Sequence, residues 1–368
     1  MEQCATSASA FHILWVVSTA TAGVFLMSFP VRMALVRWNI IDRPNHRSSH
    51  TRPTARGGGI AIMLVILLEG MALGWRSEMA LVLMGLSLGL AALSFWYDLA
   101  PLPSSIRFGG HVLVALGFLQ VLGWPQITID LTGQPTVTLP VFLNGLVLFL
   151  WLAGYTNAFN FMDGINGIAA GQAIITGIGM AVLSLLATLP HPATSIGAEP
   201  LPASANCLPE LLGFCLAGAA LGFLPHNFPR ARMFMGDVGS APLGFLLAVL
   251  ALWLARDHGW WLLPPLVLLH ANFILDTAIT LGRRVLRGEK WHEAHREHFY
   301  RRLVRSGKSH SFVTGWEMAL QVVVLGLMVV YLRSSTPVRM GLIGFVLLIW
   351  LAFFAYCERS FRRMKLAI

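Results

Sequence analysis

The segment NAFNFMDGINGIAA, residues 157–170, places three asparagines and one aspartate between two long apolar stretches. The stretches cover about 139–156 and 167–189, and a transmembrane helix needs about 17 to 25 such residues. Polar side chains at membrane depth are rare and mark functional sites or water-filled cavities. The segment therefore predicts two membrane helices that meet at a polar site.

The rest of the chain repeats this apolar pattern. Of its 368 residues, 56% are hydrophobic and only 12% are charged, against about 25% charged in soluble domains. We predict an all-α polytopic membrane protein with about 10–11 transmembrane helices, forming a single integral membrane domain over 1–368. The segment 241–255 is short, and Pro264 and Pro265 interrupt 260–281. The predicted segments lie near 11–36, 59–75, 79–97, 106–124, 139–156, 167–189, 210–225, 241–255, 260–281, 315–332 and 340–357.

The basic residues are distributed unevenly between the two sides of the membrane. With eleven helices, 22 of the 26 Lys and Arg residues fall on one side. The positive-inside rule then predicts a periplasmic N-terminus and a cytoplasmic C-terminus in a bacterial inner membrane. The net charge of +9 is thereby explained without a nucleic-acid partner. The four cysteines are scattered, which predicts neither a metal site nor a disulfide framework.

The informative polar clusters all fall on the predicted cytoplasmic side. Asp98, Asp163 and Asp237 each lie at the end of a predicted helix, and glycines flank the last two. Carboxylates can hold a divalent cation against phosphate oxygens, while Arg and His neutralise the remaining charge. This pattern indicates phosphoryl transfer at a membrane surface. The clusters occupy residues 42–59, 97–107, 157–170, 226–240 and 283–303.

Other interpretations of the same residues remain open. A single acid at a helix end is most often a cap, and the basic loop 283–303 also determines topology. His270 and Asp276, inside one predicted helix, are interpreted as a buried hydrogen-bonded pair rather than a polar path. A transporter or lipid-binding protein is the alternative class, but transporters carry ionisable groups within several helices and related halves. The helix interiors here hold few charges beyond Glu69 and Asp276.

Four motifs, in order, resemble those of the polyprenyl-phosphate N-acetylhexosamine-1-phosphate transferases, glycosyltransferase family 4. The segment at 157–170 resembles the family pattern NxxNxxDGxDGLA, and FLPHNFPRARMFMGDVGSAPLGF at 223–245 is similar to FLxxNxxPAxxFMGDxGSxxLG. RPTARGGGIAI at 52–62 and EAHREHFYRRL at 293–303 complete the set. The resemblance covers residues from about 30 to 305. The last motif, which lacks consecutive histidines, resembles the branch that begins O-antigen and related surface polysaccharides, part of lipopolysaccharide and cell wall biogenesis.

The resemblance implies a sugar-1-phosphate transfer from a UDP-N-acetylhexosamine to undecaprenyl phosphate, with release of UMP. Mg²⁺, or Mn²⁺ in its place, is the implied cofactor, and Asp237 the implied metal ligand. Membrane lipids surround the enzyme, and a homodimer is left open. Asp98, Asp163 and His298 are the implied catalytic residues. The implied substrate-binding residues are His50, Arg56, Tyr97, Arg107, Asn160, Asn166, Asn227, Phe234, His295 and Arg296.

Among these residues, the resemblance assigns particular tasks to a few. Asn166 would hydrogen-bond the uracil ring, Phe234 would stack on it, and Asp98 would face the lipid phosphate. Two positions depart from the family pattern: Tyr97 replaces the first of two adjacent aspartates, and Asn166 replaces the second aspartate of DGxDG. A phenolic O–H can donate to a phosphate oxygen, which an ionised carboxylate cannot do. A catalytically impaired homologue is the alternative.

Overall fold

The computed structural model describes residues 10–44, 50–100, 103–129, 137–189, 207–289 and 296–366, and these are mostly helical. A π-helical turn at Leu150–Gly154 joins α5 to α6, and a 3-10 turn at Trp260–Leu262 leads into α10. In chain order the helices are α1 (Ala10–Arg37), α2 (Gly59–Ala72), α3 (Glu78–Leu99), α4 (Ser104–Leu122), α5 (Val141–Phe149), α6 (Tyr155–Met162), α7 (Ile168–Ala187), α8 (Leu208–Asn227), α9 (Asp237–His258), α10 (Leu263–Leu268), α11 (Ala271–Leu286), α12 (Phe299–Arg305), α13 (His310–Leu332) and α14 (Thr336–Leu366).

The helices confirm an all-α polytopic membrane protein. Within the described residues, nine helical segments are long and apolar enough to cross a bilayer, with α5 and α6 counted as one. A tenth would combine the 3-10 turn and α10 with α11, which are bent by 71°. The apolar helix α2 has 14 residues and rises about 21 Å, less than the hydrocarbon core of about 30 Å. Together these elements account for the eleven predicted segments.

The break in the predicted segment 260–281 does not fall at its prolines. Pro264 and Pro265 lie in the first turn of α10, where backbone N–H groups have no partner within the helix. The interruption comes instead at Leu269 and His270, between α10 and α11. Prolines here start a helix, so they mark a boundary a few residues before the actual bend.

Helix α9 forms the centre of the bundle. Its membrane-spanning part is completely buried, and it packs against α3, α6 and α7. One close approach sets the position of α6, because a Cβ atom at Gly244 would lie only 2.6 Å from the Cβ of Phe159. The segment of α6 that carries Asn160 therefore lies directly beside the first turns of α9.

Two small sheets accompany the helices. The strands are β1 (Ile41–Asp42), β2 (Thr54–Arg56), β3 (Thr128–Ile129), β4 (Val137–Thr138) and β5 (Met233–Phe234). Strand β2 pairs antiparallel with β1 and parallel with β5, which sets Arg56 opposite Phe234. Two distant sequence motifs are thereby joined at the start of α9.

The glycines after β2 permit a contact between these two motifs. A Cβ atom at Gly59 would lie 2.1 Å from the Cα of Gly239, so the two backbones touch where α2 and α9 begin. Gly58 and Gly59 also donate backbone hydrogen bonds to the carbonyls of Phe234 and Met235 at 2.9 and 2.8 Å. A larger residue at Gly59 would separate the two segments that carry Arg56 and Asp237.

One cysteine differs from expectation. Cys207, which precedes α8, is disulfide-bonded, whereas Cys215 and Cys357 are free and buried. The prediction of no disulfide pairing was wrong because short-range spacing motifs do not report a bond between distant parts of the chain.

Candidate active site

Asp237, the first residue of α9, is bound by two arginines from different parts of the chain. Its Oδ1 lies 2.8 Å from Nη2 of Arg56, which follows from the pairing of β2 with β5. Its Oδ2 lies 3.0 Å from Nη1 of Arg107, in the first turn of α4. The side chain retains 10% exposure, so this carboxylate is still reachable from outside the protein.

Asp98, at the end of α3, stabilises this arrangement through Arg56 and the backbone at the start of α9. Its side chain is fully enclosed, and its Oδ1 lies 2.8 Å from Nε of Arg56. It also accepts hydrogen bonds from the backbone N–H groups of Asp237 and Val238, at 3.2 and 3.1 Å. Asp98 therefore caps the N-terminus of α9, where orphan N–H groups attract a carboxylate. This task was not foreseen, and a contact with a lipid phosphate stays a prediction.

Asp163 completes what we call the acid cluster, defined as Asp98, Asp163 and Asp237. It follows α6 directly and begins the loop to α7. Burial, together with the nearby charge of Asp237, raises the pKa of its carboxyl group to about 7. The surroundings of the acid cluster also include Asp42, 4.0 Å from Arg56, and Arg301, whose charge acts on Asp163. With all groups ionised, four carboxylates face the three guanidinium groups of Arg56, Arg107 and Arg301, which leaves one negative charge in excess.

The donor set of the acid cluster suits a magnesium ion shared with a substrate. Mg²⁺ is usually held by one or two carboxylates together with substrate phosphates, rather than by a complete protein cage. In the described part of the chain, no three His, Cys, Asp or Glu residues are placed to hold a metal by themselves. The accessible carboxylate of Asp237 and the neighbouring Asp163 would supply the protein ligands, and the excess negative charge favours a cation there.

The asparagines of the opening segment lie around the loop at 163–167. Asn160 Nδ2 donates to Ser240 Oγ at 2.8 Å, while its buried Oδ1 has no hydrogen-bond partner among the described residues. Asn166 Nδ2 donates to the carbonyl of Pro229 at 3.1 Å, and its own carbonyl accepts from Thr314 at 2.8 Å. A contact between Asn166 and uracil stays a prediction.

Asn227 ties two site loops together. Its Oδ1 accepts from the N–H of Gly167 at 2.6 Å, and its Nδ2 donates to the carbonyl of Met233 at 2.9 Å. Gly167 has a φ of +79°, a conformation that glycine adopts readily. Both ends of the Asn227 amide are thus used to hold the loop before α7 against β5, and its predicted role in substrate binding is not tested by these contacts.

Three residues from the polar segments 42–59 and 226–240 meet at the edge of the three-stranded sheet. The ring of His50 packs edge-to-face on Phe234, with the ring centroids 4.8 Å apart. Arg56 lies opposite Phe234 in the sheet and reaches Asp237. The resemblance assigns all three residues to substrate binding, and the fold brings them together. The substrate-binding role itself stays a prediction.

Tyr97 contributes its ring to the site. The guanidinium carbon of Arg107 lies 4.9 Å from the centroid of Tyr97 and 5.2 Å from that of Phe161. Cation–π contacts of this kind hold a charged side chain in one orientation. Tyr97 thus holds Arg107 against Asp237, and the predicted donation of its hydroxyl to a phosphate stays a prediction.

His298 is oriented by an acid from another helix. Its Nδ1 lies 2.8 Å from Oδ1 of Asp276, on α11, and the N–H of Phe299 donates to Oδ2 of Asp276 at 2.9 Å. The His298 ring lies near that of Phe161, with 6.5 Å between centroids, on the side of the acid cluster. The bond to Asp276 engages Nδ1 and fixes the orientation of the imidazole ring.

This pairing replaces the expected one between His270 and Asp276, which was wrong. His270 packs between the rings of Trp151 and Tyr155, at 5.4 and 4.4 Å, and its ring nitrogens have no hydrogen-bond partner among the described residues. The two residues are six positions apart on either side of the helix break, which separates their side chains.

The arginines of the basic loop divide into two groups. Arg284 and Arg302 form ion pairs with glutamates, including Glu297 and Glu358, and brace the loop against α14. Arg296 is different, because partial burial and the like charges of Arg305 and Arg301 lower the pKa of its guanidinium. Crowded like charges of this kind favour an anion between them. The predicted substrate residue His295 lies outside the described residues.

Two residues of this site were missed by the sequence. Phe161 separates Arg107 from His298, and Asp276 orients His298. The acid inside a membrane helix was the available signal for Asp276, because such residues usually have a functional partner. No pattern in the sequence singles out Phe161 from the other apolar residues of α6.

These features define a polytopic membrane protein with a cluster of acidic and basic side chains at the ends of its helices, and the comparisons with known proteins point to membrane transferases. A family model described as Glycosyl transferase family 4 matches residues 80–255. Decaprenyl-phosphate N-acetylglucosaminephosphotransferase of Mycobacterium tuberculosis is 29% identical over 317 residues, 79% of this chain and 76% of the relative. Over residues 80–255, the chain is therefore similar to glycosyl transferase family 4.

Two further relatives differ from the first in name, in identity and in the share of the chain that they cover. The probable undecaprenyl-phosphate N-acetylglucosaminyl 1-phosphate transferase of Bacillus subtilis is 26% identical over 356 residues, which is 93% of this chain and 90% of the relative. The phospho-N-acetylmuramoyl-pentapeptide-transferase of a Synechococcus species is 36% identical over 218 residues, but these cover only 56% of this chain and 57% of the relative.

Proposed function

We propose that this protein transfers an N-acetylhexosamine-1-phosphate from a UDP-linked donor to undecaprenyl phosphate and releases UMP. The observation that carries the proposal is the arginine-bound, still accessible Asp237 beside Asp163, at the helix ends where the family motifs meet. The names of the N-acetylglucosamine phosphotransferase relatives support the same class of donor and acceptor. The product would begin O-antigen or a related surface polysaccharide.

The reaction requires two anions to approach each other. An oxygen of the acceptor phosphate attacks the β-phosphorus of the donor, the P–O bond between the α- and β-phosphates breaks, and UMP leaves with that oxygen. A phosphate monoester is largely dianionic near neutral pH, since its second pKa is about 6. The site therefore needs little general-base power and instead needs positive charge to neutralise the approaching anions.

The cationic side chains are arranged for that neutralisation. Arg107 is held by Tyr97 and Phe161, and the His298 ring also lies near Phe161. Arg301 lies beside the loop that begins with Asp163, because a Cβ atom at Gly164 would fall 2.2 Å from its Nη2. These groups would contact the diphosphate and the transferred phosphoryl group. A magnesium ion bound by Asp237 would supply further charge stabilisation of the leaving oxygen.

The nucleotide end of the donor would lie near the three-stranded sheet. Phe234 presents an aromatic ring held by His50, and Asn160 offers a buried carbonyl oxygen without a partner in the described chain. An aromatic face and an unpaired amide suit a nucleobase, which is recognised by stacking and hydrogen bonds. These groups carry the proposed assignment of a uridine nucleotide.

The proposal is tested with purified protein in detergent, undecaprenyl phosphate, Mg²⁺ and a panel of UDP-sugars, scoring release of UMP. We expect turnover with at least one UDP-N-acetylhexosamine and none after chelation of the metal. Failure with every donor, by protein that remains folded, would contradict the proposed activity.

An impaired homologue is a second candidate, favoured by Tyr97 at the position of a family aspartate. The same assay on wild type and on Tyr97→Asp separates the two. Turnover by the variant alone would indicate that the natural chain has lost activity. A transporter has less support, because the described chain contains one sharply bent span and no second one in a related half.

We also propose that the acid cluster faces the cytoplasm, where a UDP-sugar would be available. The distribution of Lys and Arg among the loops favours this orientation. The disulfide-bonded Cys207 lies at the opposite membrane end, as expected for an oxidising periplasm. Lys308 and Arg76 are exposed at the two ends. A membrane-impermeant maleimide should label Arg76→Cys in cells whose outer membrane has been permeabilised, and Lys308→Cys only after lysis. The reverse pattern would overturn the orientation.

A further inference from the structure

The bend between α10 and α11 leaves a backbone carbonyl inside the membrane part of the protein, and two glutamines bind it. The carbonyl of Leu269 accepts a hydrogen bond from Nε2 of Gln172, on α7, at 2.9 Å, and a second from Nε2 of Gln321, on α13. Broken helices at membrane depth require such partners, because lipid offers none. The bend is therefore surrounded by polar side chains from three helices.

Two more side chains extend this set. Asn272, in the first turn of α11, donates through Nδ2 to Oε1 of Gln172 at 2.9 Å and to Oε2 of Glu317 at 3.1 Å. Gln172, Asn272, Glu317 and Gln321, which we call the polar pocket, are each at most 3% exposed. They line one cavity that has room for a single water-sized particle.

The polar pocket has more acceptors than donors. Asn272 Oδ1, Glu317 Oε1 and Gln321 Oε1 are buried without a hydrogen-bond partner among the described residues. In the same part of the chain, Glu317 has no Lys, Arg or His within ion-pair distance. A buried carboxylate without a counter-charge is strongly unfavourable, most of all within a membrane. With Glu317 ionised, the three oxygens and the cavity together favour an occupant that attracts acceptors, whereas protonation of Glu317 would leave the cavity without an ion.

We propose that the polar pocket binds one sodium ion. A water molecule can donate only two hydrogen bonds, which is too few for three unpaired oxygens, whereas a cation attracts all of them at once. The single carboxylate makes a monovalent ion the neutralising choice, because a divalent ion would leave a net positive charge in an apolar surrounding. The small cavity favours sodium over the larger potassium ion. Oxygen ligands beside a broken membrane helix are a known setting for Na⁺.

The ion would stabilise the loop between α6 and α7, which contains Asp163 and Asn166. Thr314, which also lines the cavity, donates to the carbonyl of Asn166 in the loop before α7. Asn272 also lies one helical turn from Asp276, the acid that orients His298. The sodium site would thus stabilise two supports of the acid cluster while lying apart from it. This inference is independent of the proposed transfer reaction, because ion binding is measured without turnover.

Radioactive sodium binding to the full chain in detergent tests the site directly, with choline chloride keeping the ionic strength constant. We expect one saturable site per chain in the wild type, not displaced by Mg²⁺, and competed at least about tenfold less well by K⁺ than by unlabelled Na⁺. The melting temperature of the wild type should rise with NaCl and not with choline chloride. Absence of saturable binding, or equal competition by K⁺, would overturn the proposal.

Variants locate the binding. Glu317→Gln removes the charge at constant volume and should abolish sodium binding, while Glu210→Gln, which alters a buried acid elsewhere, should retain it. Gln321→Met removes one ligand oxygen without changing charge, and should weaken binding at least about tenfold if Glu317→Gln fails to fold. Sodium binding that is unchanged in both pocket variants would place the ion elsewhere and contradict the assignment. Loss of sodium binding by Glu210→Gln protein that remains folded at the assay temperature would contradict it equally.

Discussion

A buried carboxylate lies at each of the two ends of helix α9, Asp237 on α9 itself and Glu210 on the neighbouring α8, and the surroundings of these carboxylates differ. At its C-terminal end, His258 Nε2 lies 2.8 Å from Oε1 of Glu210, which also accepts from Ser184 Oγ at 2.6 Å. At its N-terminal end, Asp237 takes part in a cluster of three acids and two arginines. At the C-terminal end, one carboxylate pairs with one imidazole. At the N-terminal end, the carboxylates outnumber the arginines by one.

The difference indicates which end performs chemistry. At the C-terminal end, Oε1 of Glu210 is bound by both His258 and Ser184, and this connection between α8, α9 and α7 supports the fold. Excess negative charge in a low-dielectric region is unfavourable until protons or cations neutralise it. The pKa of Asp163 is raised by burial and by the charge of Asp237 for this reason. This contrast supports the proposal that a metal ion and a substrate bind at the N-terminal end of α9. Substitutions at the two ends should separate turnover from stability.

The largest expected effect on turnover comes from Asp237→Asn. Asparagine keeps the volume but loses the charge that would hold Mg²⁺, so turnover should fall by at least about 10³-fold, or several kcal/mol of transition-state stabilisation. The cap on α9 should persist, because Asp98 binds backbone N–H groups rather than the Asp237 side chain. Release of UMP and the melting temperature are the two measurements. Near-normal turnover would reject Asp237 as the metal ligand.

His298→Ala should have the next largest effect. If its imidazole donates to the donor diphosphate, the loss of one preorganised donor lowers the rate by about 10²-fold. The measurement is turnover at saturating donor and acceptor, with Phe312→Ala, exposed on α13, as a control of similar size change. A loss under about threefold would return His298 to a structural role.

Asp276→Asn tests whether Asp276 acts through His298. Asparagine still accepts a hydrogen bond but orients the imidazole less strongly, so we expect a loss of about tenfold, or about 1.4 kcal/mol. The double variant with His298→Ala should then be no slower than His298→Ala alone, because neighbours in one network are not additive. Full additivity would show that Asp276 contributes independently of His298.

Substitutions at Tyr97 should have smaller effects and distinguish its ring from its hydroxyl. Tyr97→Ala removes a cation–π contact with Arg107 worth about 1 kcal/mol, which corresponds to a loss of about fivefold. Tyr97→Phe keeps the ring and should lose less than about twofold. A loss of about tenfold in Tyr97→Phe would instead support donation by the hydroxyl to a phosphate, one neutral donor to a charged acceptor.

The sequence predicted the membrane helices well because hydrocarbon thickness fixes their length and composition. All eleven apolar segments correspond to helices, including the short α2. The sequence also predicted that Asp98, Asp163 and Asp237 would converge, since each lies at a helix end on one predicted side. Local apolarity and the alternation of helix direction were sufficient for these features.

Partners from distant parts of the chain could not be predicted in the same way. The pair of Asp276 with His298 depends on how the segment before α12 returns to α11. The pairing of β2 with β5 joins Ala55 to Met233, which are about 180 positions apart in the sequence. Asp98 was assigned to a substrate because its sequence position does not reveal that its oxygens face the N–H groups of α9. Side-chain direction at a helix end is decided by tertiary packing.

The smallest expected change in turnover is that of Glu210→Gln, at the other end of α9. Glutamine can still accept from Ser184 but loses the charge opposite His258, so the protein should become less stable by about 1–3 kcal/mol. Turnover per folded molecule should change by less than about twofold, because α9 remains capped by Asp98 and the acid cluster is at its far end. The measurements are the melting temperature and UMP release normalised to folded protein. A fall in turnover at an unchanged melting temperature would show that the two ends are coupled through α9, and the division between a structural end and a chemical end would then be wrong.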